Sequence, residues 1–355
     1  GVAGLFVFEN KKVLQNVPEE GAFVDWLKTQ PIAFKRLDLY GSKEIGTLLA
    51  YSDNNDTSHR CRPFNSMEFD GDLVIKRAIT EQGQKIALDE IAWYKHVKQL
   101  GFKNIPEIYE YEPLKMKRVR GKNIFEYDCI TKTQKCDILT SLVQALHTLH
   151  NLEPAQPVNE SDVIENYITK TFDRLSKVDH LVPFAEQEFI KINGQYYKNI
   201  FFNKDELISL VQKHMPTEFR LIHGDCTFSN LMFDTFDMRA VLIDPRGYFG
   251  KTKLYGDADY DWAKLYYSIN GDYDLFNRKK FTLDIREKDV ELAIKPNNWG
   301  DMSDYFFDLL PNVKKEKIKM LHGIIWLSLT TYAWEDYDSI CAAFYNGLIK
   351  LGDLL

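Results

Sequence analysis

The sequence predicts an α+β fold in two lobes, a small N-terminal lobe on a mixed β-sheet and a larger, mostly helical C-terminal lobe. Three observations carry that reading. Hydrophobic periodicity changes along the chain, from short β-branched runs around one amphipathic helix to almost continuous helical spacing. A polar run, Ser52-Asp53-Asn54-Asn55-Asp56-Thr57-Ser58, cannot bury apolar area and divides an appendage at 1–58 from lobes at 59–118 and 119–355. With 355 residues, 45% of them apolar and 27% charged, the chain is long enough for about two domains with full cores.

The appendage opens on a strand-like run at 4–8 (Gly-Leu-Phe-Val-Phe) and continues with a short helix at 21–28. Because the strand begins almost at the first residue, the expectation is a chain cut from a longer one. Beyond the polar run, Leu73-Val74-Ile75 is a strand. From Ile86 to Leu100, the residues Leu88, Ile91, Tyr94, Val97 and Leu100 recur at three-residue spacing and Gly101 closes the run, which makes an amphipathic helix. Residues 108–119 read as two strands about the Glu112-Pro113 turn. A second amphipathic helix covers about 133–150, with Ile138, Leu142, Ala145, Leu146 and Leu149 on one face. Arg220-Leu221-Ile222 and Ala240-Val241-Leu242-Ile243 are short strands, each ending in polar residues of the kind that build sites. Residues 257–270 and 313–355 are helical and rich in Tyr and Trp.

Composition narrows the function. A formal charge of −7 with no basic run argues against nucleic acid or an anionic membrane as partner and leaves a small molecule or a protein. The longest mostly apolar stretch, Gly323 to Trp334, falls short of the roughly 20 residues a bilayer requires, and no secretory signal is visible. Cys61, Cys129, Cys136, Cys226 and Cys341 are odd in number and contain no CxxC pair, which reads as reduced thiols in a cytoplasmic protein.

The informative stretch is His223-Gly224-Asp225-Cys226-Thr227-Phe228-Ser229-Asn230, followed by Asp244 in Leu242-Ile243-Asp244-Pro245-Arg246-Gly247. An Asp five residues before an Asn in a loop, with a second Asp at the end of the next strand, can converge three oxygens on one point. Hard oxygens suit Mg²⁺, and phosphoryl transfer asks for one carboxylate at the attacking hydroxyl and an Asn and an Asp for metal on the nucleotide. Asp225 is the expected base, and Asn230 and Asp244 the expected metal ligands. Such a reaction also needs a cation on the phosphates. Lys76 ends the strand at 73–75, and Glu90 lies on the first amphipathic helix, in the order of the strand lysine and helix glutamate that orient a nucleotide's phosphates.

Together with Gly256-Asp257-Ala258-Asp259-Tyr260-Asp261-Trp262-Ala263, these motifs resemble the aminoglycoside phosphotransferase and choline kinase group of small-molecule kinases, over about residues 60–350. The resemblance implies a protein-kinase-like two-lobed fold, ATP and Mg²⁺ as cofactors, a small-molecule hydroxyl acceptor, and backbone groups of Lys117 and Val119 against the adenine. Leu146 to His150 resembles the family's helix ahead of the catalytic region, and Met116 to Gly121 its hinge. Two departures stand out. Residues 61–71 hold a single glycine, so no glycine-rich phosphate loop is present, and Arg62, Asn65 and Ser66 are the side-chain donors available in its place. Pro245-Arg246 departs from choline-kinase-like patterns and is closer to members acting on sugars or sugar-containing antibiotics. Gly4 to Tyr51, ending in Tyr40-Gly41-Ser42-Lys43-Glu44-Ile45-Gly46-Thr47, resembles the tail of a sugar nucleotidyltransferase of the kind fused to such kinases in surface (capsular) polysaccharide biosynthesis. This favours a sugar, sugar alcohol or polyol as acceptor and a fused or associated nucleotidyltransferase as partner. The rival readings are a choline, ethanolamine or aminoglycoside kinase, and a non-catalytic regulatory lobe.

Other residues have plainer roles. The spaced carboxylates Asp257, Asp259 and Asp261 lack the Gly and the final Glu of a calcium loop, and Asp261 is expected to brace the catalytic loop. His223 is expected to hold that loop by hydrogen bonds, Cys226 to be unreactive for want of a cationic partner, and Trp326, Tyr332 and Trp334 to be core.

Overall fold

Thr80 stands in extended backbone and its hydroxyl accepts the Gly83 N–H, so the helix α2 (Glu81–Gln99) starts five residues before its apolar periodicity does. A computed structural model describes residues 6, 8, 10–18, 22–33, 65–127, 129–331, 336–352 and 354–355. Residues 1–60 and 61–355 form two compact units. In the first, Asn10 caps a 3₁₀ turn at Lys11–Leu14, and α1 (Phe23–Lys28) buries Leu27 and sets Phe23 beside Trp26 at 5.5 Å. The polar run at 52–58 lies outside the described residues, as do Cys61, Arg62, Tyr332, Trp334 and most of the stretch likened to a nucleotidyltransferase tail.

The second unit begins with a hairpin, β1 (Asn65–Asp70) and β2 (Leu73–Ala78), turning at Gly71. After α2 come β3 (Ile108–Tyr111) and β4 (Leu114–Lys117), joined through a cis Glu112-Pro113 bond. The four strands form an antiparallel sheet in the order β1-β2-β4-β3. Most of the β1 segment is exposed, Met67 and Phe69 included, so no buried face marks it in a hydrophobicity reading.

β5 (Gly121–Asn123) leads into the helical region and pairs with a later strand. The helix α3 (Lys132–His150) is closed at its start by a reciprocal Thr131 and Gln134 capping box. It buries the expected face, with Ile138, Leu142, Ala145, Leu146 and Leu149 all shielded from water. Next, α4 (Glu160–Ile164) runs through a π-helical turn at Glu165–Thr169 into α5 (Lys170–Leu175). Between β6 (Phe189–Ile192), β7 (Gln195–Lys198) and the strand β8 (Arg220–Leu221) lies α6 (Lys204–Lys213).

The hairpin β9 (Leu231–Asp234) and β10 (Arg239–Leu242) joins β5 in a three-stranded sheet. Three two-residue strands follow, β11 (Tyr248–Phe249), β12 (Thr252–Lys253) and β13 (Tyr255–Gly256), the last paired with β8. Then come α7 (Ala258–Ile269), α8 (Tyr273–Phe276), β14 (Phe281–Ile285), β15 (Val290–Ile294) and α9 (Ser303–Asp308). The segment read as helical from 313 contains two helices, α10 (Lys315–Leu329) and α11 (Tyr337–Leu351), packed on each other. A second four-stranded sheet, β14-β15-β6-β7, had no counterpart in the sequence reading. No described helix is long and apolar enough to cross a membrane, and Cys129, Cys136, Cys226 and Cys341 are free.

Trp93 links α2 to the site, because its buried indole donates to the Ile222 carbonyl at 2.7 Å. Trp93→Phe removes that donor and strands the carbonyl, so urea denaturation is expected to show a loss of about 1–3 kcal/mol.

Candidate active site

β8 ends at Leu221, and the chain then turns through His223 to Asn230 as a loop whose polar groups find partners almost throughout. Asp261, fully buried on α7, accepts the His223 N–H at 2.8 Å and the Gly224 N–H at 2.7 Å, and His150 lies 3.0 Å from the same carboxylate. Burial opposes charge there, but the bonds from His150 and His223 prevail and hold Asp261 below the usual carboxylate range. The Phe228 N–H goes to Ser268 Oγ at 2.9 Å and the Ser229 N–H to Asp274 at 3.0 Å, while Asn123 on β5 donates to the Ser229 carbonyl. Burial pushes Asp274 up to about 6.

His223 acts as a strut. Its Nε2 faces the Ile243 carbonyl at 2.9 Å, which fixes the proton on that nitrogen and leaves Nδ1 to accept the Asp225 N–H at 3.3 Å. Burial lowers its pKa, so the ring is neutral. The fully buried Cys226 thiol is pushed far up, first by burial and then by Asp261.

Asn230 Nδ2 donates to the Asp225 carbonyl and to Asp225 Oδ2, both at 2.9 Å. The other Asp225 oxygen meets Lys264 Nζ at 2.9 Å. Although burial works against the Lys264 ammonium, Asp225 raises its pKa. The Asn230 carbonyl accepts the Ile243 N–H at 3.0 Å and the His223 carbonyl the Arg246 N–H at 2.9 Å, so the loop and the segment after β10 are stitched together.

Asp244 follows β10 with φ +54°, a left-handed conformation that Asp tolerates better than most residues. Its side chain, 46% exposed, meets Lys76 Nζ at 2.8 Å. The same ammonium lies 2.8 Å from Glu90 on α2, and both carboxylates raise its pKa against the opposing effect of burial. Lys76, Glu90 and Asp244 therefore converge, as do Asp225 and Asn230 beside them. At the expected hinge, Lys117 donates its N–H to the Glu107 carbonyl at 2.8 Å, whereas Val119 has no hydrogen-bond partner among the described residues. Asn65 and Ser66 lie on β1.

Three side chains escaped the sequence reading. Lys264 stands one helical turn after Asp261, so the two share a face of α7, and that spacing was the available signal. Lys170 on α5 carried no such mark. Lys317 fills the spaced-carboxylate motif, with its ammonium 2.8 Å from both Asp257 and Asp259, so an ion pair closes what a calcium loop would leave open. Trp326 is core, its indole bonded to His322 at 3.0 Å.

A β-sheet region above a helical one, with a carboxylate loop and a doubly paired lysine between them, defines a phosphotransferase of the kinase-like fold. Residues 68–277, more than half of the chain, match the APH phosphotransferase enzyme family, and the chain belongs to it. No curated protein matches the chain. Among solved structures it is similar to the GDP complex of wild-type aminoglycoside 2'-phosphotransferase-IIIa, at 14% identity over 84% of this chain and 92% of that one, with a TM-score of 0.52. The gentamicin complex of APH(2")-IIa matches at 14% identity over 89% and 97%, with a TM-score of 0.51. A glucosamine kinase matches at 12% identity over 74% and 68%, with a TM-score of 0.50. At such identities the likeness shows the fold.

Asp261→Asn places an amide NH₂ against a loop N–H. The expected result is a stability loss of about 1.5–3 kcal/mol by urea denaturation.

Proposed function

We propose that the chain transfers the γ-phosphoryl group of ATP, with Mg²⁺, to a hydroxyl of a small polar molecule of the sugar, sugar-alcohol or polyol class. The observation that carries the proposal is Lys76 held by Glu90 and Asp244 at 2.8 Å each, beside an Asp225 already oriented by Asn230 and Lys264. Phosphoryl transfer needs little covalent help and much positioning and charge stabilisation, which such a preset array supplies.

The donor set fits Mg²⁺. Asn230 turns its Nδ2 to Asp225, so Oδ1 is its free ligand atom, and Asp244 adds a carboxylate. Two protein ligands suit an ion that leaves its other positions to phosphates and water. When bound, the ion neutralises charge across the phosphates.

Lys76 would bind the α- and β-phosphates, and the hinge at Val119 would meet the base. Asp225 accepts a hydrogen bond from the acceptor hydroxyl and orients its oxygen on the γ-phosphorus. As the new P–O bond forms, the bond from the γ-phosphorus to the β,γ-bridging oxygen breaks, ADP leaves, and the hydroxyl proton passes to Asp225 and then to water.

Asp225→Asn is expected to lower turnover by about 10²–10⁴-fold in an ADP-release assay over a panel of sugars and polyols, with Mg·ATP binding retained. Unchanged turnover would remove Asp225 from the role. Lys76→Met should instead weaken Mg·ATP binding, read by calorimetry; wild-type affinity in that variant would remove Lys76 from the phosphates, and no Mg·ATP affinity in the unsubstituted chain would argue for a non-catalytic lobe.

A further inference from the structure

The cleft wall beside Asp225 carries more positive charge than the reaction described above uses. Arg246 stacks its guanidinium on Tyr248 at 4.4 Å, and its side chain packs so close to Gly224 that a Cβ there would meet it at 3.1 Å. Lys264 comes from α7 and Lys170 from α5, just past the π-helical turn. Arg174, one turn beyond Lys170, donates to the Ser328 carbonyl. Lys170 feels Arg246, Arg174 and Lys264 as neighbouring charges, and Asp225 acts on both Arg246 and Lys264.

Two of these cations, Lys264 and Arg246, share Asp225, which is already engaged by Lys264 at 2.9 Å, and Lys170 is the neighbour of both. The acid acting on Lys170 is the exposed Glu165. Among the described residues neither Lys170 nor Arg246 has a carboxylate within ion-pair distance. Burial, and then Arg246, Arg174 and Lys264, push the Lys170 ammonium down to about 7, the mark of a cation lacking its counter-charge. Like charges gathered in a partly desolvated wall repel one another, so an arrangement of this kind is satisfied by an anion from outside.

The cluster is separate from the lysine assigned to the nucleotide. Lys76 interacts with Glu90 and Asp244, whereas Lys264 and Arg246 interact with Asp225 and Tyr260. We infer that Lys170 and Arg246, beside Lys264, bind an anionic group carried by the phosphoryl acceptor, a carboxylate or phosphate on a polyhydroxylated molecule. The inference rests on the kinase reading for which molecule is the acceptor, while the anion site itself is testable without turnover.

Four matched probes decide it by calorimetry in saturating Mg²⁺ and a non-hydrolysable ATP analogue: D-glucuronate, glucose 6-phosphate, glucose and glucosamine. At least one anionic probe is expected to bind tenfold or more tightly than glucose and glucosamine, and the stronger of the two tells carboxylate from phosphate. Lys170→Gln and Arg246→Gln should each weaken that probe at least tenfold, with less than a twofold change for the ATP analogue, and the surface control Lys319→Gln should leave both unchanged. The inference falls if neither anion binds at millimolar concentration, if glucose or glucosamine binds as well as the anions, or if anion binding survives both substitutions. It falls too if anions bind only without the ATP analogue, since the cations would then belong to the nucleotide. Failure of the kinase reading shows separately, as absent ADP release from every acceptor.

Discussion

The carboxylate of Asp261 is the constraint on which the site depends. Backbone N–H groups at a tight turn beneath an active site have no helix or strand to satisfy them, and leaving them unpaired in a dry interior is costly. Asp261 takes two of them and is itself held by His150. That fixes His223, whose ring reaches the Ile243 carbonyl and so carries the position of the loop across to the segment bearing Asp244. The chain of bonds continues through Asp244 to Lys76 and Glu90, so a buried acid on α7 is coupled by direct contacts to a lysine on β2.

Much of this was legible because it is local. The spacing of Asp225, Asn230 and Asp244, the Lys76 and Glu90 pair, and the apolar faces of α2 and α3 all follow from residue types at short separations. What was not legible depends on long-range apposition. Phe189–Ile192 joins its sheet through Val290–Ile294, about a hundred residues later, with Gln195–Lys198 paired on its other side, and β1 is mostly exposed, so no buried face marks it. The basic cluster is of the same kind. Lys170, Arg246 and Lys264 are ordinary isolated cations in sequence, and only the packing of three separate segments brings them to one wall. Lys317, fifty-eight residues beyond Asp259, illustrates the converse, where a distant partner turns an apparent ion-binding motif into a structural salt bridge.

The fold is shared with aminoglycoside kinases at about one residue in seven identical, which the 14% figures express. What persists at that distance is the frame, a β-sheet region and a helical one. The charged wall is tied to that loop, because α7 carries Lys264 as well as Asp261 and the Arg246 N–H bonds to the His223 carbonyl. A shared fold hosts different chemistries, so the family frame alone does not name an acceptor.

The π-helical turn at Glu165–Thr169 bears on how Lys170 is placed. Such a turn holds about one residue more than the α-helix around it, and each residue turns an α-helix by about 100°. Because the turn itself absorbs that residue, losing one there would restore regular winding and leave Lys170 close to its place after α4, whereas a deletion in the regular helix would swing it by about 100°. The bulge is therefore the place where this helix tolerates a change of length by one residue without displacing the cation that follows it.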